Sequence, residues 1–210
     1  MAVTPLPTRL RARAAVALLA LAAGLAGCDK LVPGSAAGFK SVDITGAEYG
    51  RQLALTDADG KPRTLADFKG KVSVVFFGYT HCPDVCPTTL AEIAEVKAML
   101  GKDGERVQAI FVTVDPERDT PQLLKAYMAN FGPGFIALHG SAEQTAAAAR
   151  EFKVFYMKVP GKTEGSYTVD HTAGSYIIDA QGRLRLFARY GMPAPDLASD
   201  LKQLLAESRS

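Results

Sequence analysis

The sequence predicts an α/β fold: a mixed sheet with helices on both faces and extra strands at its N-terminal end. Three observations lead there. Residues 71–79 (Lys-Val-Ser-Val-Val-Phe-Phe-Gly-Tyr) and 107–114 are apolar, β-branched and aromatic runs, the pattern of parallel strands buried on both faces. Segments with helical periodicity or helix-capping signals follow them. Near the C-terminus two strand-like runs lie only a turn apart, which adds an antiparallel pair to the parallel strands.

Residues 39–44 and 52–56 read as strands, the second followed by the turn Asp57-Ala58-Asp59-Gly60. Residues 64–68 suit a short helical turn. After the first central strand a helix starts at about Cys86 or Pro87, with Leu90, Ile93, Val96 and Leu100 on one face. The second central strand runs into Asp115-Pro116-Glu117-Arg118-Asp119-Thr120-Pro121. There Thr120 as N-cap and Pro121 at the first helical position open a helix to about Phe131. Ser141 and Gln144 have capping-box spacing and open a helix to about Phe152. Residues 154–159, 175–179 and 183–190 read as strands, the last two joined at Ala180-Gln181-Gly182, and 193–207 as a final amphipathic helix. Two cysteines fall at the carboxyl end of a central strand, where open α/β sheets carry their chemistry. This order matches the thioredoxin-like plan with additional N-terminal strands.

A chain of 210 residues suits one domain with a sizeable core. Its formal charge of +2 arises at the N-terminus, where Arg9, Arg11 and Arg13 stand without an acid; the remainder carries −1. Such a body has no footprint for nucleic acid. The basic residues precede an apolar run over 14–26, the pattern of a secretory signal and too short for a comfortable membrane span. The run ends in Leu25-Ala26-Gly27-Cys28, which resembles the lipobox of bacterial lipoproteins, whose peptidase cuts before the cysteine that carries the lipid. The expected organisation is a lipoprotein signal peptide over 1–27, a lipidated tether over 28–38 and a thioredoxin-like domain over 39–210. Asp29 resembles a retention signal, which places the protein on the periplasmic face of the inner membrane. An ordinary cleaved signal followed by an unmodified cysteine is the alternative.

The three cysteines, Cys28, Cys82 and Cys86, are too few for a disulfide framework. Cys82 and Cys86 are four residues apart, so a helical first turn would put them on one face with Cβ atoms about 5–6 Å apart. Two sulfurs so placed can converge on one ion or, after a small adjustment, form a disulfide. The helix N-terminus is expected to lower both thiol pKa values. Two inert core cysteines are the bland alternative. A dithiol oxidoreductase normally has two residues between its cysteines, and here there are three. A structural zinc site needs four protein ligands. Two thiolates and one imidazole suit Cu(I) and also hold Cu(II). Of the three histidines, His81 adjoins Cys82 and would point away from the sulfurs, and His139 ends a short strand with nothing reactive nearby. His171 lies in Tyr167-Thr168-Val169-Asp170-His171-Thr172-Ala173-Gly174, expected as the loop that faces the cysteine helix. Asp84 and Asp170 flank these candidates and either orient a ligand or meet a partner protein. Asp115, Glu117, Arg118 and Asp119 are read mainly as turn and cap structure rather than as a hard-metal site or a partner surface.

Three ordered segments, 78–88 (Gly-Tyr-Thr-His-Cys-Pro-Asp-Val-Cys-Pro-Thr), 114–121 (Val-Asp-Pro-Glu-Arg-Asp-Thr-Pro) and 169–172 (Val-Asp-His-Thr), resemble the signatures of the SCO/SenC family. These are thioredoxin-fold copper chaperones that help assemble the binuclear copper site of cytochrome c oxidase. The likeness covers about residues 40–207. It implies that Cys82, Cys86 and His171 bind copper as Cu(I) or Cu(II). It also implies that the protein delivers copper to cytochrome c oxidase subunit II, or reduces that subunit's copper-ligand cysteines with Cys82 and Cys86 as a redox-active pair. Other periplasmic copper or thiol-redox proteins are further expected partners. Many members keep an N-terminal transmembrane helix, and the lipid expected on Cys28 departs from that pattern. A thiol-disulfide reductase, or a redox or copper sensor, would use the same two cysteines.

Overall fold

The computed structural model describes residues 38–208. The expected signal peptide, Cys28 and all of the expected tether but Gly38 lie outside the described residues. Among the described residues ten strands occur: β1 (Val42–Asp43), β2 (Ala54–Asp57), β3 (Pro62–Thr64), β4 (Val72–Gly78), β5 (Val107–Thr113), β6 (Phe135–His139), β7 (Tyr156–Pro160), β8 (Tyr167–His171), β9 (Ser175–Ile178) and β10 (Leu184–Ala188). The helices are α1 (Val85–Met99), α2 (Pro121–Ala129), α3 (Ala142–Glu151) and α4 (Ala194–Glu207). Eight strands form one sheet in the order β1-β10-β9-β4-β5-β6-β2-β3, and β7 pairs with β8 as a separate hairpin. The pairs β4–β5 and β5–β6 are parallel and β4–β9 is antiparallel, so the mixed, thioredoxin-like sheet expected from the sequence is present.

Every residue of β4 and β5 is buried, which explains why neither run alternates. Val72 and Val74 pack with Ile93 and Val96 of α1 and with Leu197, Leu201 and Leu204 of α4. Val75, Phe76 and Phe77 join a second cluster with Phe111, Phe152 and Tyr176. Burying each such phenylalanine stabilises the fold by about 1.5–3 kcal/mol, and Phe76 and Phe77 immediately precede the cysteine loop. Local signals hold as well. Leu123 N–H donates to Thr120 Oγ1, and both halves of the Ser141–Gln144 capping box form.

Three elements differ from expectation. The strand over 39–44 contracts to Val42–Asp43, because the backbone N–H groups of Lys40 and Ser41 donate to the buried Asp200 carboxylate (2.8 and 2.7 Å). Strand β3 was not anticipated: Pro-Arg-Thr has no apolar signal, and its pairing rests on β2 and on the Arg63–Asp57 contact of 2.8 Å. Residues 167–171, expected as a loop, form strand β8 against β7. Only Val169 of β8 is buried, so periodicity could not announce it. Among the described residues no helix is long and apolar enough to cross a membrane.

Candidate metal centre

Strand β4 delivers the chain to the site. Its last residue, Gly78, must lack a side chain, since a Cβ there would lie 2.7 Å from Cys86 Sγ and 2.9 Å from Phe111. The chain then turns, with Cys82 N–H donating to Tyr79 O at 3.3 Å, and α1 begins at Val85. Cys82 therefore precedes the helix, and the two cysteines do not meet as neighbours on a helical face. Instead the turn folds Cys82 Sγ over the helix start, where it accepts the Cys86 backbone N–H at 3.4 Å. The N-cap residue Asp84 makes no side-chain cap, so a sulfur takes one of the free helical donors.

Cys86 is fully buried, Cys82 is half-buried, and both are free thiols. Burial pushes the Cys86 thiol well above its ordinary value; a hydrogen bond from the Tyr79 backbone opposes this, and the adjacent Cys82 sulfur reinforces it. The expected lowering at the helix N-terminus is thus overturned for Cys86, because burial takes water away from the thiolate.

His171 is the last residue of β8, and its Nε2 lies 3.4 Å from Cys86 Sγ. Its Nδ1 stands 3.0 Å from the Thr172 carbonyl, which can only accept. Nδ1 therefore carries the proton and Nε2 turns its lone pair to the sulfurs, the arrangement of a histidine prepared to ligate a metal. Burial lowers the imidazole pKa against the opposing effects of the Thr172 carbonyl and Asp170, which favours the neutral ring. Phe76 and Tyr79 pack edge-on around it, each with ring centroids 5.9 Å away. One donor atom from each of Cys82, Cys86 and His171 lies within 4.8 Å of the other two, so the three can hold one metal ion.

The other expected residues take different places. His81 is exposed and faces Thr80 Oγ1 (3.1 Å) and Asp119 (3.8 Å), away from the cluster. His139 pairs with Thr56 at the end of β6. Asp84 and Asp170 are exposed and line the mouth of a cleft of about 350 Å³ together with Cys82, Pro83, Val85 and His171. Asp115 and Asp119 are buried and serve the surrounding scaffold, as the turn-and-cap reading expects. The Asp119 carboxylate accepts from Thr80 N–H (3.1 Å), Thr80 Oγ1 (2.5 Å) and Thr113 Oγ1 (2.6 Å), which ties the cysteine loop to β5. Sequence reasoning missed Thr80 and Tyr79, although both lie within the segment that carried the family resemblance.

The sequence matches the SCO1/SenC family over residues 42–206. A SCO2-like protein of Rickettsia felis is 37% identical over 148 residues, covering 70% of this chain and 72% of that protein. Among solved structures, Bradyrhizobium japonicum ScoI with copper bound is 45% identical, with a TM-score of 0.68 over 75% of this chain and 99% of that one. Arabidopsis thaliana ScoI with copper bound is 32% identical, with a TM-score of 0.71 over 77% of this chain and 99% of that one. The match spans most of the sequence and includes the strand–cysteine–helix unit and the histidine hairpin: this chain belongs to the SCO1/SenC family.

Proposed function

We propose that this protein carries copper on the periplasmic face of the inner membrane, tethered by a lipid on Cys28. It delivers the ion to the binuclear copper site of cytochrome c oxidase subunit II. The observation that carries this reading is the convergence of Cys82, Cys86 and the lone pair of His171 within 4.8 Å. Two sulfurs and one neutral imidazole form a soft donor set suited to Cu(I) and able to hold Cu(II). The copper-bound ScoI structures share the fold around it. Cys82, half-exposed at the cleft, is placed to exchange first with an incoming thiolate, and the buried Cys86 would release the ion last. The exposure of Asp84 and Asp170 favours a partner-facing role for both.

The contact between Cys86 N–H and Cys82 Sγ favours a second use of the same site, reduction of the recipient's cysteines. In that exchange the Cys82–Cys86 dithiol becomes a disulfide, and two electrons and two protons pass to the recipient's disulfide.

The test is copper binding by the full chain. One copper per chain is expected, with X-ray absorption showing sulfur and nitrogen around a low-coordinate Cu(I). Uptake of one zinc and no copper would overturn the metal assignment. In a strain lacking the protein and grown at low copper, His171→Ala should fail to restore oxidase activity. Full restoration would transfer the assignment to the reductase.

A further inference from the structure

The residue that brings the third donor to the sulfurs sits on a hairpin with little hold of its own. Strands β7 and β8 form a two-stranded sheet separate from the main sheet, and an isolated hairpin is marginally stable in water. Side chains supply much of its attachment. The Arg118 Nη1 donates to Tyr167 O at 3.0 Å, and the guanidinium lies 3.6 Å from the centroid of the Tyr167 ring. Tyr167 Oη donates to Asp115 Oδ1 (2.8 Å), and Arg118 Nε donates to Asp115 Oδ2 (2.5 Å). The same guanidinium stands 5.7 Å from the Tyr79 ring centroid. Tyr79 in turn packs edge-on against His171, with ring centroids 5.9 Å apart. Arg118 thus reaches both the hairpin, at Tyr167, and one wall of the imidazole's socket, at Tyr79.

The geometry points to Arg118 as a positioning residue that, with Asp115, latches the β7–β8 hairpin through Tyr167 and Tyr79 and so sets His171 over Cys82 and Cys86. Asp115 is fully buried with Arg118 beside it, so removing the guanidinium would leave a buried carboxylate without its cation. Arg118 Nη2 is also buried and has no hydrogen-bond partner. A cation held at that cost needs the planar fork, which a lysine cannot reproduce. The Lys158–Glu117 ion pair also reaches the hairpin, but both side chains are largely exposed and such pairs contribute little. The role of the latch in copper handling rests on the function proposed above; its structural part does not.

The experiment separates these two. In the copper-free full chain, Arg118→Lys should speed hydrogen exchange of the amides in 167–171 by about tenfold, the size of one charge-assisted hydrogen bond. Amides of β4 and β5 should keep their protection. Cu(II) affinity should fall by about 10–100-fold, as when an outer partner of a ligating histidine is lost. The midpoint potential of the Cys82–Cys86 couple should not move. In a His171→Ala background the same substitution should cost no further affinity. Unchanged exchange at 167–171, or an equal affinity loss with and without His171, would overturn the latch. If wild type bound no copper, the function proposal would fail while the exchange measurement still decided the latch. The double variant Asp115→Asn/Arg118→Met, which removes both charges, answers the same questions should Arg118→Lys not fold.

Discussion

Cys86 Sγ and His171 Nε2 lie 3.4 Å apart although 85 residues separate them in the chain. The contact joins a buried thiol at a helix start to an imidazole at a strand end, and it brings a third donor to what would otherwise be a dithiol. His171→Ala should therefore weaken Cu(II) binding by at least about tenfold in chelator competition. Cys82 and Cys86 should still cycle between dithiol and disulfide in that variant, as read by thiol titration. Cys86→Ser should lose both properties. Wild-type Cu(II) affinity in His171→Ala would remove the imidazole from the donor set.

The two thiols should differ in reactivity. Cys82 is half-buried at the cleft, whereas Cys86 has no exposed surface and burial pushes its thiol up. Iodoacetamide at mildly alkaline pH should modify Cys82 roughly tenfold or more faster than Cys86 in the metal-free, reduced protein, as measured by peptide mass spectrometry. Equal initial rates would mean that Cys86 is not shielded as described.

Gly78→Ala tests the close approach of β4 to the site. The new methyl would meet Cys86 Sγ at 2.7 Å, Phe111 at 2.9 Å and Phe76 at 3.0 Å, and none of the three has free space to retreat into. Overpacking of this kind costs about 1–3 kcal/mol, so the denaturant midpoint should fall and copper affinity with it. A variant with unchanged stability and affinity would show that Cys86 can repack.

Asp179 should shape the acid limb of stability. Burial raises its pKa, but the Arg183 backbone N–H (2.9 Å) and side chain (2.8 Å), together with Arg185 (3.3 Å), outweigh that and hold it below the ordinary value. A carboxyl lowered on folding contributes stability in full above its unfolded pKa of about 3.9. That contribution is lost as pH falls through the folded value. The stability gap between wild type and Asp179→Asn in urea melts should stay constant from about pH 8 to pH 5 and narrow below about pH 4. A gap that widens on acidification would contradict the assignment.

Much of the scaffold was legible because its signals are local. The unbroken apolar runs of β4 and β5, the Thr120 cap and the Ser141–Gln144 box depend on neighbours within a few residues, and each stands where the sequence placed it. The edges were less legible. Lys40 and Ser41 leave β1 for Asp200, a partner about 160 residues away that no periodicity encodes.

For the site, the sequence by itself determined the residue types and their order: two cysteines at a strand-to-helix junction and a later histidine. The tertiary structure decided the rest. It turned 167–171 into a strand, because β7 and the side chain of Arg118 satisfy backbone groups of β8 that would otherwise lack partners. It also buried Asp119 beneath Thr80, tying the cysteine loop to β5. Above all it reversed the expected ionisation of Cys86. The pull of a helix N-terminus is readable from position in the chain, whereas the cost of desolvating a thiolate depends on every residue packed around it.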